Sequence, residues 1–504
     1  LREVMGRWVA PAEREPVLIG PTVFRIHGRE AALEEIGWDG PGEDRLWRYH
    51  QHYFDDLTAC GTDERRKWHE ALIARWMAEN PPGRGTGWEP YPVSRRIVNW
   101  IKAALGGFPL GREAASSLAL QARWLSKRIE WHLLGNHLLA NAKALVFAGC
   151  FFEGQEADAI LRKGLGILDS QLPEQVLPDG GHFELSPMYH ALVLEDMLDL
   201  MNLQAAYPQI NDLKARASEW EEAVSRMSHW LFCMTHPDGE IAFFNDAAFG
   251  MAPPPAQLLA YSSRLGLKVP KMQGEQVVHL ENSGYLRLNG DVATAFLDCA
   301  RVGPDYLPGH AHADTLSFEL SVMGERLLVN SGTSCYGQGK ERLRQRGTAA
   351  HNTVVVDGRD SSEVWSGFRV ARRAYPEGPV ITGDKGRLTV SCSHNGYQYL
   401  RGRSRHHRKW LWYERGLVVE DRVEGGYSQA QARFHVHPRW DVICGREKDG
   451  TFRHKDGKTV RWTVEIGCPR LEAATFHPRF GETLASQCLS VELEGGRARV
   501  GFEW

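Results

Sequence analysis

His310, His312 and Asp314 stand at alternate positions in Gly309-His310-Ala311-His312-Ala313-Asp314, directly ahead of the apolar run Leu316-Ser317-Phe318-Glu319-Leu320. Extended backbone sends alternate side chains to one side, so a strand starting here would carry two imidazoles and a carboxylate on the same face. That set suits metal ligation or proton transfer, because imidazole changes charge near neutral pH and a carboxylate fixes its tautomer. A solvated lead-in to a strand reads the same way, and two further polar clusters tip the balance toward chemistry.

The first of these is Gly135-Asn136-His137-Leu138-Leu139-Ala140-Asn141, at the head of a stretch that reads as a buried helix through Phe151. His137 and Asn141 are four apart and share a face, with Asn136 about 100° away. An unpaired buried amide or imidazole costs about 1–3 kcal/mol, so these groups either bond within the core or line a wet groove. The second is Pro178-Asp179-Gly180-Gly181-His182-Phe183-Glu184-Leu185-Ser186-Pro187-Met188-Tyr189-His190, which opens as a Gly-rich turn and closes as a helix start at Ser186-Pro187.

These residues must be positioned by a chain of 504 residues, long enough for two or three domains. From Thr62 to Leu259 the period is helical, as in Trp68–Met77, Arg96–Ile101, Leu118–Trp131, Ala191–Leu203 and Trp220–Met234, and helix pairs with short joints predict a solenoid or toroid. From Val277 the grammar becomes that of short strands: Tyr285–Leu288, Ala295–Asp298, Ser317–Val322, Arg326–Asn330, Thr353–Val356, Trp410–Tyr413 and Gly416–Asp421. Strands at that spacing predict an antiparallel sandwich. The prolines at 253–255 interrupt the helical signal, and the boundary is placed at residue 270. The expected organisation is multidomain α + β: an N-terminal extension over 1–61 packing on the helical domain, that domain over 62–270, and a β-sandwich over 271–504.

The formal net charge of −3 argues for neither a nucleic-acid nor a membrane partner, so neither is expected, and no apolar run reaches the ~20 residues of a membrane span. Between Lys340 and Lys409, however, fifteen lysines and arginines face six acids, a local excess that would attract a polyanion or serve as a solvated basic face. Seventeen tryptophans suit sugar stacking and large cores alike. Nine scattered cysteines with no CxxC, and no apolar leader at Leu1-Arg2-Glu3-Val4, point to a cytoplasmic setting, or a periplasmic or secreted one if a signal was removed.

Five motifs in order resemble the heparinase II/III-like polysaccharide lyases: Asn136-His137 with Asn141, Asp179–Glu184 through Tyr189-His190, His310–Asp314, Asn330-Ser331-Gly332-Thr333 and Ala350-His351-Asn352-Thr353-Val354. The resemblance implies an incomplete (α/α) toroid followed by an antiparallel β-sandwich, and β-elimination at a uronic acid of an acidic polysaccharide. By likeness Asn136 and His137 neutralise the carboxylate, Tyr189 is the acid and, in the syn case, also the base, and His310 serves the other epimer or the carboxylate. Tyr336 resembles a second family tyrosine. His312 and His351 resemble two ligands of a structural Zn²⁺, but Asn330 stands where several relatives have Asp, a poorer ligand that puts the metal in doubt. No organic cofactor is implied, and the oligomeric state stays open. Arg95, Arg346 and Trp365 are candidate substrate contacts, since guanidinium pairs bidentately with carboxylate or sulfate, and His182 and Glu184 are candidates for the same groove. His435 and His437 read as structural.

Two rival readings remain. Asp179, Glu184 and Asp246 could supply the paired carboxylates of a glycoside hydrolase, or the chain could bind acidic glycan without cleaving it. For a lyase, a bacterial exopolysaccharide is favoured over a glycosaminoglycan as the polymer.

Overall fold

The computed structural model describes residues 1–269, 274–384 and 386–504. Two compact units are resolved, one of Leu1–Gly180, Ala191–His229 and Gly250–Pro270, the other of Gly181–His190, Trp230–Phe249 and Lys271–Trp504. The boundary expected at residue 270 falls on 270–273, outside the described residues.

The first unit is helical. Its framework helices include Arg66–Glu79, Pro90–Leu105, Arg112–Ser126, Gly135–Phe151 and Gln155–Gln175. Prolines open Pro90–Leu105 at its first positions, where no backbone donor is lost, and Val93, Ile97, Trp100 and Ile101 form its buried stripe. Gly135–Phe151 is apolar nearly all round and packs closely on Gln155–Gln175. A Cβ on Gly149 would lie 2.7 Å from the Leu161 backbone, and one on Gly164 2.8 Å from the Ala142 carbonyl, so glycine on both sides permits the approach. The prolines near residue 254 do not end the helical pattern: Pro255 starts a further helix, Pro255–Arg264. Residues 1–61 contribute a small hairpin, Val23–Ile26 with Arg29–Ala32, and the helix Arg45–Gln51, capped by Asp44.

The second unit is built on two antiparallel sheets. One runs in the order Pro376–Asp384, Arg387–His394, Gly402–Tyr413, Gly416–Gly426, Arg497–Glu503, Thr459–Ile466, Asp449–His454 and Trp440–Cys444. The other runs Cys468–Phe476, Leu484–Glu492, Ala430–Val436, Glu325–Leu328, Phe318–Val322, Ala293–Asp298, Tyr285–Asn289 and Val277–Leu280, with Val354–Val356 also on Ala430–Val436. Both contribute to one core, where Phe318 meets Trp410 edge-on at 6.5 Å and Phe434 meets Phe502 at 5.4 Å. Gly402–Tyr413 alternates as a half-buried strand should, yet its inner face carries His406 and Arg408 beside Trp410 and Trp412. Arg408 pairs in register with Asp421 and donates to both its carboxylate oxygens at 2.7 and 2.9 Å, while His406 Nε2 lies 2.7 Å from the same group. These buried charges are tolerated because they are mutually bonded.

Candidate active site

In the second unit the chemistry gathers around Asn245 and Asp246. Asn245 has φ 57° and Leu185 φ 59°, a left-handed conformation costly for residues with a Cβ. Asn245 Nδ2 donates to the Leu185 carbonyl at 2.9 Å, its backbone N–H donates to Asp314 Oδ2 at 3.0 Å, and its Oδ1 accepts from the His312 backbone at 3.0 Å. The strain thus places Asp246 beneath the segment bearing His310 and His312.

Asp246 is fully buried and collects His310 Nδ1 at 2.9 Å, His312 Nε2 at 2.8 Å, Thr333 Oγ1 at 3.3 Å and both terminal nitrogens of Arg342, one of them at 2.7 Å and the other closer. Burial alone would raise its carboxyl. The Arg342 charge and the bonds from His310, His312 and Arg342 outweigh that and hold it well below the usual carboxylate range. An ionised Asp246 can only accept, so His310 donates from Nδ1, and in the neutral imidazole that tautomer puts the lone pair on Nε2, the form of a general base. His310 Nε2 lies 3.8 Å from Glu184 Oε2.

The His310 ring stacks on Tyr189 at 3.8 Å between centroids, and the Tyr189 and Tyr336 hydroxyls are 2.9 Å apart. Burial, then the Asp246 charge, pushes the Tyr336 phenol well above its ordinary value, so it stays protonated and able to donate. Tyr189 is fixed by the start of Pro187–Ala206: Ser186 Oγ accepts from the Tyr189 backbone at 3.2 Å and donates to the Asp246 carbonyl at 2.5 Å. The expected alternation therefore places its residues on one side, His310 and His312 on Asp246 and Asp314 on Asn245. It does so from irregular backbone rather than a strand, since a turn at Thr315-Leu316, with Leu316 at φ 64°, intervenes before the strand Phe318–Val322.

His312 and His351 face each other with Nδ1 and Nε2 3.2 Å apart. Burial lowers both imidazoles, which are neutral at neutral pH. Since His312 gives its Nε2 proton to Asp246, its Nδ1 accepts from His351. Asn330, the third position of the expected zinc set, donates to the Phe243 carbonyl at 2.8 Å and accepts from the Asn352 backbone at 3.1 Å. His312 and His351 supply two imidazoles and Asn330 an amide bonded to backbone on both sides, a donor set short of the three or four good ligands that zinc calls for. Glu325, His454 and Asp456 lie close enough together to hold a metal ion. Lys458 lies within 3.2 Å of Glu325 and 2.8 Å of Asp456, and Arg439 3.1 Å from Glu325, so those carboxylates are already compensated.

Arg346, expected as a substrate contact, is buried and donates to the carbonyls of Ala311, Ser366 and Arg369, and burial, with the Arg342 charge, lowers it to about 10, so its guanidinium frames the site. His182 is also fully covered, and burial, then His190 and His310, pushes its imidazole well below the ordinary value. Glu184 is buried, whereas Trp365 is 52% exposed. His435 is structural, its Nε2 lying 3.0 Å from the Ala349 carbonyl. Asp246 entered the sequence reading only as a hydrolase carboxylate, and Arg342 only as one charge of a basic run. The one local sign was Asn245, a residue type that tolerates left-handed backbone.

In the first unit, Asn136 and His137 occupy the first turn of Gly135–Phe151, half-buried, where unpaired backbone N–H groups give positive potential. The chain enters this helix with Leu134 at φ 56°. His137 Nδ1 lies 3.2 Å from Glu130 Oε1, and its ring 4.5 Å from that of Tyr91. Asn141 is a core residue, bonded to the Glu130 backbone and carboxylate and to Ser94 Oγ. Arg95 lies 3.3 Å from Asp55 and 4.0 Å from Asp196. Burial works against its charge, but those acids and Tyr91 and Glu195 hold it protonated.

Residues 57–253 match the family model described as heparinase II/III N-terminus, and residues 272–502 the model described as heparinase II/III-like, C-terminal. A heparin-sulfate lyase of Bacteroides stercoris is 26% identical over 337 residues, which are 63% of this chain and 48% of that protein. One of Pedobacter heparinus is 24% identical over 320 residues, 56% and 46%. The chain thus spans about half the length of the curated relatives it matches. Among solved structures, one described as heparinase III has a TM-score of 0.74 at 17% identity, covering 92% of this chain and 78% of that one. A heparan sulfate lyase from Pedobacter heparinus has a TM-score of 0.63 at 18% identity, covering 97% and 83%. At these identities the structural likeness is one of fold. The two models between them take in most of the sequence, and the chain belongs to the heparinase II/III family.

Proposed function

We propose that the protein is a polysaccharide lyase cleaving a uronic-acid-containing polysaccharide by β-elimination, on a scaffold of an incomplete (α/α) toroid and a β-sandwich. The observation that carries the reading is the set formed by Tyr189, His310 and Asp246: a phenol stacked on an imidazole whose tautomer is fixed by a buried carboxylate. Elimination needs a base for the C5 proton, neutralisation of the uronate carboxylate while charge passes into it, and an acid for O4 as the C4–O4 bond breaks and the C4–C5 double bond forms.

His310 Nε2 suits the base, or a partner for the carboxylate. Tyr189 suits the acid, and the base as well when proton and leaving group are syn, with the Tyr336 hydroxyl able to support its oxygen as the proton moves. Asn136 and His137 are assigned the carboxylate, and their place in the first turn of a long helix supports this. No step passes through zinc. The names of the matched relatives favour a glycosaminoglycan of the heparin and heparan type as first substrate, ahead of an exopolysaccharide. The hydrolase alternative loses ground because Asp246 is fully engaged by Arg342 and two histidines, and so is unsuited to act as acid or nucleophile.

The test is incubation with heparan sulfate, heparin, chondroitin sulfate, hyaluronan, alginate and glucuronan while ultraviolet absorbance of the unsaturated uronate is followed. Absorbance should rise with at least one polymer and be lost in Tyr189→Phe and His310→Ala. Reducing ends appearing without that absorbance would indicate hydrolysis, and no product from any polymer would favour binding alone.

A further inference from the structure

The hairpin Val364–Trp365 with Arg369–Val370 lies beside the Tyr189–His310 cluster and carries Trp365, which the sequence offers as a substrate contact without a partner or a subsite. Its tip is held by buried guanidinium groups: Arg342 Nε donates to the Gly367 carbonyl at 3.0 Å, and Arg346 donates to those of Ser366 and Arg369 at 3.2 and 3.3 Å. Gly367 sits so close to the neighbouring chain that a Cβ there would lie 2.4 Å from the Gly337 carbonyl, and Ser366 takes φ 52°. The backbone is therefore fixed by the same arginine that fixes Asp246.

What this fixed tip presents is apolar and exposed. Trp365 is 52% and Phe368 41% accessible, and Phe368 borders the proposed base and the tyrosine that supports Tyr189, 5.9 Å from the His310 ring and 5.2 Å from that of Tyr336. Arg369 is exposed and directly opposite Trp365 in the two-stranded register, so indole and guanidinium stand on one face. An indole offers a flat apolar surface for the C–H face of a pyranose, and a guanidinium beside it a fork for carboxylate or sulfate.

We propose that Trp365 and Arg369 form a binding subsite for an acidic pyranose next to the ring undergoing cleavage, with Phe368 as the wall between that subsite and His310. The inference rests on the lyase reading of the adjoining cluster and adds the residues that select and orient the chain. Both side chains project from a backbone anchored elsewhere, so removing them leaves the fold intact.

The test uses the full chain carrying Tyr189→Phe, which prevents turnover, titrated calorimetrically with hexasaccharides of heparan sulfate and hyaluronan. Adding Trp365→Ala or Arg369→Ala should weaken binding of at least one of them about tenfold. Trp365→Phe should recover most of the loss, and Arg369→Ala should flatten the salt dependence of binding. Unchanged affinity in either alanine variant, or no binding of either hexasaccharide, overturns the subsite. The lyase reading is judged separately, by ultraviolet absorbance with unsubstituted protein. Binding that depends on Trp365 and Arg369 without any unsaturated product would keep the subsite and remove the lyase.

Discussion

Asp246→Asn is the sharpest perturbation of the site, because five hydrogen bonds converge on that carboxylate and all five come from donors. The amide keeps one accepting oxygen and turns a donating nitrogen toward the rest, leaving the buried Arg342 charge without its counter-ion. Breaking a buried pair by removing one partner costs about 3–5 kcal/mol, a large part of the ~5–15 kcal/mol that holds a domain folded, so the variant should fold with a clearly lowered midpoint of unfolding. Its rate should fall further than its stability suggests. Without the carboxylate His310 loses its fixed tautomer, and the contribution of a positioned general base, about 10²–10⁴-fold, goes with it.

A cycle with His310→Ala separates the two effects, with rates measured by unsaturated-product absorbance under conditions where every variant is folded. If Asp246 acts through His310, Asp246→Asn slows the parent strongly and the His310→Ala variant hardly at all. An equal slowing in both backgrounds would refute the dyad. pH gives a second readout. The native Asp246 carboxyl is held below its unfolded value of about 3.9, so its stabilisation is fully present above that value and is lost as the pH falls through the native one. Urea unfolding from about pH 7 to 3 should therefore show a steeper acid loss in the parent than in Asp246→Asn.

Tyr336→Phe should leave thermal stability nearly unchanged and reduce the rate by about tenfold or more, since it removes one hydrogen bond to the Tyr189 oxygen; an unaltered rate would place Tyr336 outside the reaction. Arg408→Met leaves Asp421 and His406 buried without their cation and should destabilise by about 3–5 kcal/mol in chemical denaturation, with partial rescue by the double change Arg408→Met, Asp421→Leu. Dialysis against a chelator should change neither the unfolding midpoint nor the rate, because His312 and His351 supply two imidazoles and the Asn330 amide is already bonded to backbone; a fall in either would show a metal holding them. Gly164→Val should lower stability by more than about 2 kcal/mol through overpacking against Ala142 and Val146.

The large division was legible because periodicity reports it. The helices Arg66–Glu79 and Pro90–Leu105 extend the expected runs at both ends, and Gly416–Gly426 extends its expected strand. Pro255 both interrupts the helical pattern and opens the next helix, Pro255–Arg264, because the first turn of a helix does not need its missing donor. The site was legible where like residues cluster, at His310 and His312 or at Tyr189, and illegible where one residue is defined by its distant partners. Asp246 is joined to Arg342 across 96 positions of chain and to His310 across 64, and a lone carboxylate after Asn245 carries no local mark of that.

The basic run from Lys340 to Lys409 shows the same effect from the other side. Counted as charge it suggests a polyanion surface, but Arg342, Arg346 and Arg408 are wholly buried, and Arg344, Arg372, Arg373 and Arg405 are paired with Glu341, Glu363, Asp305 and Glu377. Seven of the fifteen cations are therefore taken up within the protein itself. Arg342 neutralises Asp246 and grips Gly367, and Arg346 grips Ala311 and Ser366, so two buried cations tie the His310 segment to the hairpin of Trp365. The electrostatics that fix the base thus also fix the surface proposed to receive the sugar. A substitution at Arg342 should consequently lower stability, binding and turnover together, whereas one at Arg369 should weaken binding with the unfolding midpoint unchanged.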